Sequence, residues 1–144
     1  MFTTIHPLIL EIKMNPFKQT WETYSQSWKL KNTKDKLAAF AQSLDKNCHY
    51  KDPLIKTTGY DELLNYMLDF HQQIPEGHFV TTYFMAHSNK SIACWNMCDA
   101  EGTKIGEGIS YGQYTNDGKL IAMTEFLNHY RNTSHYSYRV DSPW

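Results

Sequence analysis

Apolar residues recur at helical spacing through the first half of the chain and at strand spacing through the second. Phe17, Trp21, Tyr24 and Trp28 follow one another at steps of four, three and four, which places them on one face of a helix. Lys18, Glu22, Ser25 and Lys29 form the opposite, solvated face. Asn15-Pro16 starts this helix, because Asn caps well and Pro suits the first helical position. Thr33 is expected to cap a second helix, with Asp35 in its first turn and Leu37, Phe40, Ala41 and Leu44 as its apolar face. Cys48 to Asp52 reads as a short extended piece, and Pro53 holds Asp52 out of helical geometry. Thr58 is expected to cap a third helix with Asp61 and Glu62 in its first turn. Leu63, Leu64, Met67, Phe70, His71 and Ile74 share its inner face, and Pro75-Glu76-Gly77 ends it.

The period then changes. Phe79–His87, Ser91–Cys98, Ile105–Tyr114 and Leu120–Leu127 have strand length and are rich in Thr, Tyr, Phe, Val and Ile. Asn89-Lys90, Asp99 to Gly102 and Asn116-Asp117-Gly118 separate them with turn residues. The pattern predicts an antiparallel meander of four strands, with Cys48–Lys51 as a candidate fifth. Gly106, Gly108 and Gly112 fall on one strand face, where missing side chains let a sheet bend or a neighbour approach. Three helices followed by a meander, without βαβ alternation, give an α+β fold. Within Trp95 and Met97 against Cys94 and Asn96, the inward set stays open, since a one-residue slip exchanges them.

Composition narrows the class. With 144 residues, 41% hydrophobic and 20% charged, the chain suits one soluble domain. The expected division is an N-terminal arm over residues 1–14, a domain over 15–130 and a polar, Tyr-rich tail over 131–144. The apolar run Ile5 to Ile12 is too short to span a bilayer and lacks the basic region and cleavage site of a secretory signal. A formal charge of −1 without a basic block gives no support to nucleic-acid or membrane partners. Cys48, Cys94 and Cys98, odd in number and poorly spaced for zinc, read as reduced thiols of a cytoplasmic protein. His49, Asp52, His71 and His87 form no metal pattern, and no glycine-rich phosphate loop precedes a helix. Neither a metal nor a nucleotide cofactor is therefore indicated. Aromatic residues reach 15%, enough to line a pocket, fill a core or build an interface.

Three stretches carry a resemblance: the aromatic helix Trp21–Trp28, the segment Cys48–Phe70 with its Asp-Pro element, and Gly108–Phe126 with its Asp-Gly-Lys turn. In their order and spacing the chain resembles the nuclear-transport-factor-2-like superfamily, in its SnoaL-like and ketosteroid-isomerase-like branch. The resemblance implies three helices packed on a curved antiparallel sheet around a cone-shaped pocket. It also implies a homodimer formed through the outer sheet face, where Tyr111 and Gln113 lie. Members of this superfamily isomerise, cyclise, hydrate or hydrolyse small hydrophobic molecules, or only bind a ligand or protein partner, so the fold alone does not deliver a function.

Carried onto this chain, the resemblance makes Asp52 the general base and Tyr24 an oxyanion donor. The family's second donor, a protonated acid on the penultimate strand, falls on Ser110. Serine can donate a hydrogen bond but is no acid, which sets ketosteroid isomerisation as such apart from this chain. Trp28, Tyr50, Met67, His87 and Trp95 are candidate ligand-binding residues. Each has a plainer reading: Asp52 shapes a loop before Pro53, Tyr24 packs on the stripe of Trp21 and Trp28, and His71 and His87 are satisfied or edge histidines. Glu125 becomes a second acid if it points inward, although an outward Glu is the default. The expected function is cofactor-free binding of a small, mostly apolar molecule carrying a carbonyl or hydroxyl, with isomerase, cyclase or dehydratase chemistry. The rival is a non-enzymatic binding or dimeric interaction module.

Overall fold

A computed structural model describes residues 15–128; the expected arm and tail lie outside the described residues. Helix α1 spans Pro16–Ser27 and α2 spans Thr33–Ser43. Strand β1 (Leu44–Lys51) and the short β2 (Lys56–Thr58) precede helix α3 (Gly59–Gln73). Four strands follow: β3 (His78–His87), β4 (Lys90–Cys98), β5 (Lys104–Tyr114) and β6 (Leu120–Leu127).

The helix starts follow from side-chain acceptors. Asn15 Oδ1 accepts from the N–H groups of Phe17 and Lys18, with Pro16 at the first helical position. The cap of α2 is Asn32 rather than Thr33: its Oδ1 accepts from the Asp35 N–H at 2.8 Å. Thr58 precedes α3, but its hydroxyl meets His49 Nδ1 instead of capping, and Glu62 Oε1 accepts from the Thr58 N–H.

All six strands form one curved sheet in the order β2-β1-β6-β5-β4-β3. The meander β3 to β6 is antiparallel as expected. The sheet as a whole is mixed, because β1 pairs parallel to β6. That pairing extends the meander and seats the third helix after two strands. Helix α1 packs on α2 and β3, and α3 packs on β1. The Trp21 indole donates to Thr81 Oγ1 of β3 at 3.0 Å, which pins α1 across the concave face.

The inner face alternates as strand geometry requires. Ala93, Trp95 and Met97 of β4 point inward and are buried, which leaves Cys94 and Asn96 outside. The β5 glycines stand opposite the largest of these side chains: Trp95 pairs with Gly108 and Met97 with Gly106. A Cβ at Gly108 would lie 2.5 Å from the Trp95 ring and from the Phe126 carbonyl oxygen, so only glycine leaves room for that indole.

Helix α2 departs from its expected face. Ala41 is exposed, whereas Lys36, Ala39, Phe40 and Ser43 are buried. Lys36 is fully buried and its Nζ donates to the Ser27 carbonyl at 2.7 Å, closing the C-terminal end of α1. Burial pulls its ammonium down to about 8. Lys119, from the β5–β6 turn, does the same for α2 through the carbonyls of Ala41 and Gln42.

Candidate functional site

A cavity opens between α1 and the concave face of the sheet. Helix α1 supplies Trp21, Tyr24, Ser25 and Trp28; β1 and the loop after it supply Tyr50 and Asp52. Phe79, Trp95 and Met97 line it from β3 and β4, and Ser110, Glu125 and Leu127 from β5 and β6. Ser25, expected on the solvated side of its helix, is buried and faces this space. The cavity holds about 30 Å³, and about 470 Å³ when interstitial space and the open mouth are counted. Its closed part accommodates one water molecule or a group of similar size. No Lys, Arg or His is among its lining residues, and its carboxyl groups are those of Asp52 and Glu125.

Aromatic rings narrow the space. Trp28 stands edge-on to Phe70, Phe79 and Tyr66, with centroids 5.3, 5.2 and 6.2 Å away. Its indole N–H donates to Tyr24 Oη at 2.9 Å. Burial, and then the nearby charge of Glu125, hold the Tyr24 phenol well above the ordinary tyrosine range, so it stays protonated as a donor.

Asp52 is buried and lines the cavity, but its acceptor sites are occupied. Oδ1 accepts from the N–H groups of Leu54 and Ile55 at 2.8 and 3.1 Å. Oδ2 accepts from the hydroxyls of Tyr50 and Tyr66 at 2.8 and 2.6 Å. A carboxylate has about four lone-pair positions, and four donors use them. The loop around Pro53 therefore closes on its own aspartate, and the two tyrosines tie that loop to β1 and α3.

Glu125 is equally buried and lines the same cavity but is far less fully hydrogen-bonded. It lies directly opposite Ser110 across the β5–β6 ladder and points into the cavity's wall. Its Oε2 accepts from the Ser110 hydroxyl, whose oxygen in turn accepts from the Trp95 indole at 2.8 Å. Its Oε1 is buried without a hydrogen-bond partner among the described residues. Burial pushes the carboxyl up to about 8; the Asp52 charge adds to this and the Ser110 hydrogen bond opposes it. At neutral pH Glu125 is thus a buried carboxylic acid. The position where the resemblance expects an acid holds Ser110, and the acid comes from the strand beside it. The sequence signal was a Glu among apolar residues at strand spacing; its direction awaited the register.

The other sequence-derived candidates separate. Tyr24, Trp28, Tyr50, Asp52, Trp95 and Ser110 meet around the cavity. Met67 is buried but lies between helices, its sulfur 3.9 Å from Ser27 Oγ, and does not line the cavity. His87 is exposed at the end of β3, bonded to Ser88 Oγ, and does not reach it either. His71 bonds the Gly77 carbonyl at 3.1 Å beside the helix end. Among the described residues no group of three His, Cys, Asp or Glu side chains is placed to hold a metal ion, and no helix is long and apolar enough to cross a membrane.

Solved structures share this architecture. A candidate isomerase of the SnoaL-like family from Agrobacterium tumefaciens matches with a TM-score of 0.73 and 20% identity, over 80% of this chain and 99% of that one. An NTF2-like protein of unknown function from an Exiguobacterium species matches with a TM-score of 0.63 and 11% identity, over 76% and 98%. The chain has the NTF2-like, SnoaL-like fold. A candidate SnoaL-like polyketide cyclase from a Jannaschia species matches with a TM-score of 0.62 and 10% identity, over 77% and 86%. No family model matches the chain, and no curated protein matches it in sequence. At these identities the likeness to SnoaL-like structures carries the backbone, and the cavity chemistry has to be read from this chain's own side chains.

Proposed function

We propose that the protein binds a small, mostly apolar molecule through a carbonyl oxygen and moves a proton on it without a cofactor, in the manner of an isomerase or cyclase. The observation that carries this is Glu125: a buried acid with one oxygen unpaired, in the same cavity as the Tyr24 hydroxyl. Two O–H donors in a narrow, aromatic chamber suit an oxygen on which negative charge develops. Glu125 is the acid of this reading and Tyr24 the second donor. Asp52, held by four donors, shapes the loop and adds negative charge instead of acting as the base. The candidate isomerase and cyclase among the structural neighbours are in keeping with this chemistry. Free thiols at Cys48, Cys94 and Cys98 suit a reducing, cytoplasmic setting.

Acetophenone, a neutral ketone that does not titrate, is a suitable probe. Its affinity, followed by calorimetry, is expected to fall about tenfold between pH 6 and pH 10 as Glu125 changes from donor to acceptor. Glu125→Gln should remove that pH dependence. Affinity that is flat with pH in the wild type, or an absence of binding, overturns the reading.

A second reading concerns the outer sheet face and takes a second copy of the chain as partner. Tyr83, Cys94, Ile109 and Phe126 form one cross-strand row, and Met85, Ile92 and Tyr111 the next. Tyr83, Met85 and Ile109 are 55%, 51% and 42% exposed, an apolar patch of the kind that marks association. Sedimentation should give twice the 16.9 kDa chain mass for the wild type and a single chain for Ile109→Lys. A wild-type monomer at micromolar concentration rejects this face as a dimer contact.

A further inference from the structure

A protonated Glu125 has two oxygens that could carry the proton, and only one of them is of use to a ligand. The hydrogen bonds behind the carboxyl decide between them. An indole N–H donates and never accepts. Trp95 Nε1 donates to Ser110 Oγ, so the Ser110 proton turns away from Trp95 and goes to Glu125 Oε2. With Oε2 already accepting that proton, the carboxyl's own proton belongs on Oε1, the buried oxygen without a partner among the described residues.

We propose that Trp95 is a positioning residue that acts through Ser110 to hold the Glu125 proton on Oε1, facing the cavity. This rests on Glu125 being the acid of the function proposed above. Three placements support it. Ser110 stands directly opposite Glu125 on one side and Ala93 on the other, which lets the indole of the next inward residue reach over it. Gly108 gives that indole its space, since a Cβ there would lie 2.5 Å from the ring. Trp28 repeats the device: its indole donates to Tyr24 Oη, so the phenol proton also turns elsewhere, and no described residue accepts it. Both donors of the cavity are thus backed by an indole that can only give a proton.

Without the Trp95 N–H, Ser110 becomes free to accept. The carboxyl can then carry its proton on Oε2 and donate it backwards to Ser110, which stabilises the neutral acid and withdraws the donor from the cavity. The charged and titratable groups facing Glu125 are Asp52 from the loop after β1, the Cys48 thiol from β1 and Tyr24 from α1; none of them is replaced in the Trp95 variant.

Infrared difference spectra across a pH titration read the protonated carboxyl directly, and Glu125→Gln assigns its band by deleting it. In Trp95→Phe, which keeps a ring in place, the titration midpoint of that band should rise by about half a pH unit or more, and acetophenone at pH 6 should bind about five- to tenfold more weakly. Ser110→Ala should raise the midpoint further, and Ser110→Thr, which keeps the hydroxyl, should stay near the wild type. An unchanged midpoint in Trp95→Phe overturns the proposal, whatever Ser110→Ala does. The two readings fail separately. If acetophenone does not bind the wild type but the midpoint shifts, the carbonyl function falls and the positioning role stands. If Glu125→Gln abolishes the pH dependence of binding while Trp95→Phe changes neither quantity, the positioning role alone falls.

Discussion

Glu125→Gln is expected to leave stability unchanged near pH 4 and to raise it strongly by pH 8. The carboxyl is pushed up to about 8 in the fold from 4.5 in the open chain, chiefly by burial. A group that holds its proton more tightly when folded stabilises the fold below its unfolded pKa. That contribution is lost as pH rises through the folded value. For Glu125 the window runs from 4.5 to about 8 and the loss reaches up to about 5 kcal/mol. Glutamine keeps an oxygen for the Ser110 hydroxyl and has no charge to bury. Urea unfolding from pH 4 to pH 9 checks this: the wild-type midpoint should fall with pH while the variant's stays level across the Glu125 window. Parallel curves would show that the acid ionises without penalty, and the buried-acid reading of the cavity would go with it.

Lys36→Ala should be among the most destabilising single changes outside the cavity, at about 3–5 kcal/mol. Two losses combine: a fully buried side chain leaves a void, and the Ser27 carbonyl at the end of α1 loses its donor. Lys36→Met fills the space and removes the donor together with the buried charge, so its cost should be smaller, at about 1–2 kcal/mol. Equal losses in the two variants would mean that packing contributes little and that the hydrogen bond dominates. The sign with pH is opposite to that of Glu125. The Lys36 ammonium, lowered to about 8 from 10.5, releases its proton more readily when folded. Its contribution is therefore present above 10.5 and is lost as pH falls through about 8. Together the two groups predict a stability minimum near pH 8, with Glu125→Gln removing the limb below it and Lys36→Met the limb above.

These two residues also mark where the sequence was legible and where it was not. The stripe Trp21, Tyr24 and Trp28 gave the buried face of α1, since a period near 3.6 has one meaning over two turns. The turns at Asn89-Lys90 and Asn116-Asp117-Gly118 gave the ends of the strands, because they need residues that tolerate left-handed or tight backbone; Asn89 and Gly118 both take positive φ. The α+β order followed from those patterns, Tyr24, Asp52 and Ser110 from the resemblance, and Trp28 and Tyr50 from their aromatic character, while the inward direction of Trp95 needed the register.

Lys36 was out of reach because a lysine among helix-face residues reads as solvated unless something buried needs its donor. That something is the end of another helix, nine positions back in sequence. Asp52 was legible in place and not in role. Its four donors come partly from Tyr66, fourteen residues away on α3, which no local pattern pairs with it.

By itself, then, the sequence determined the kind and order of the elements, because helical and strand periods, caps and turns are local properties of the backbone. The tertiary structure decided which residue is the acid. Inward and outward faces of a strand differ by one residue, and hydrogen-bond partners across a sheet are set by register. Burial raises a carboxyl only after the whole fold has excluded water from it. Glu125 sits fifteen residues from Ser110 in the chain and directly across from it in the sheet, and that single pairing turns an ordinary strand glutamate into the buried acid of the cavity.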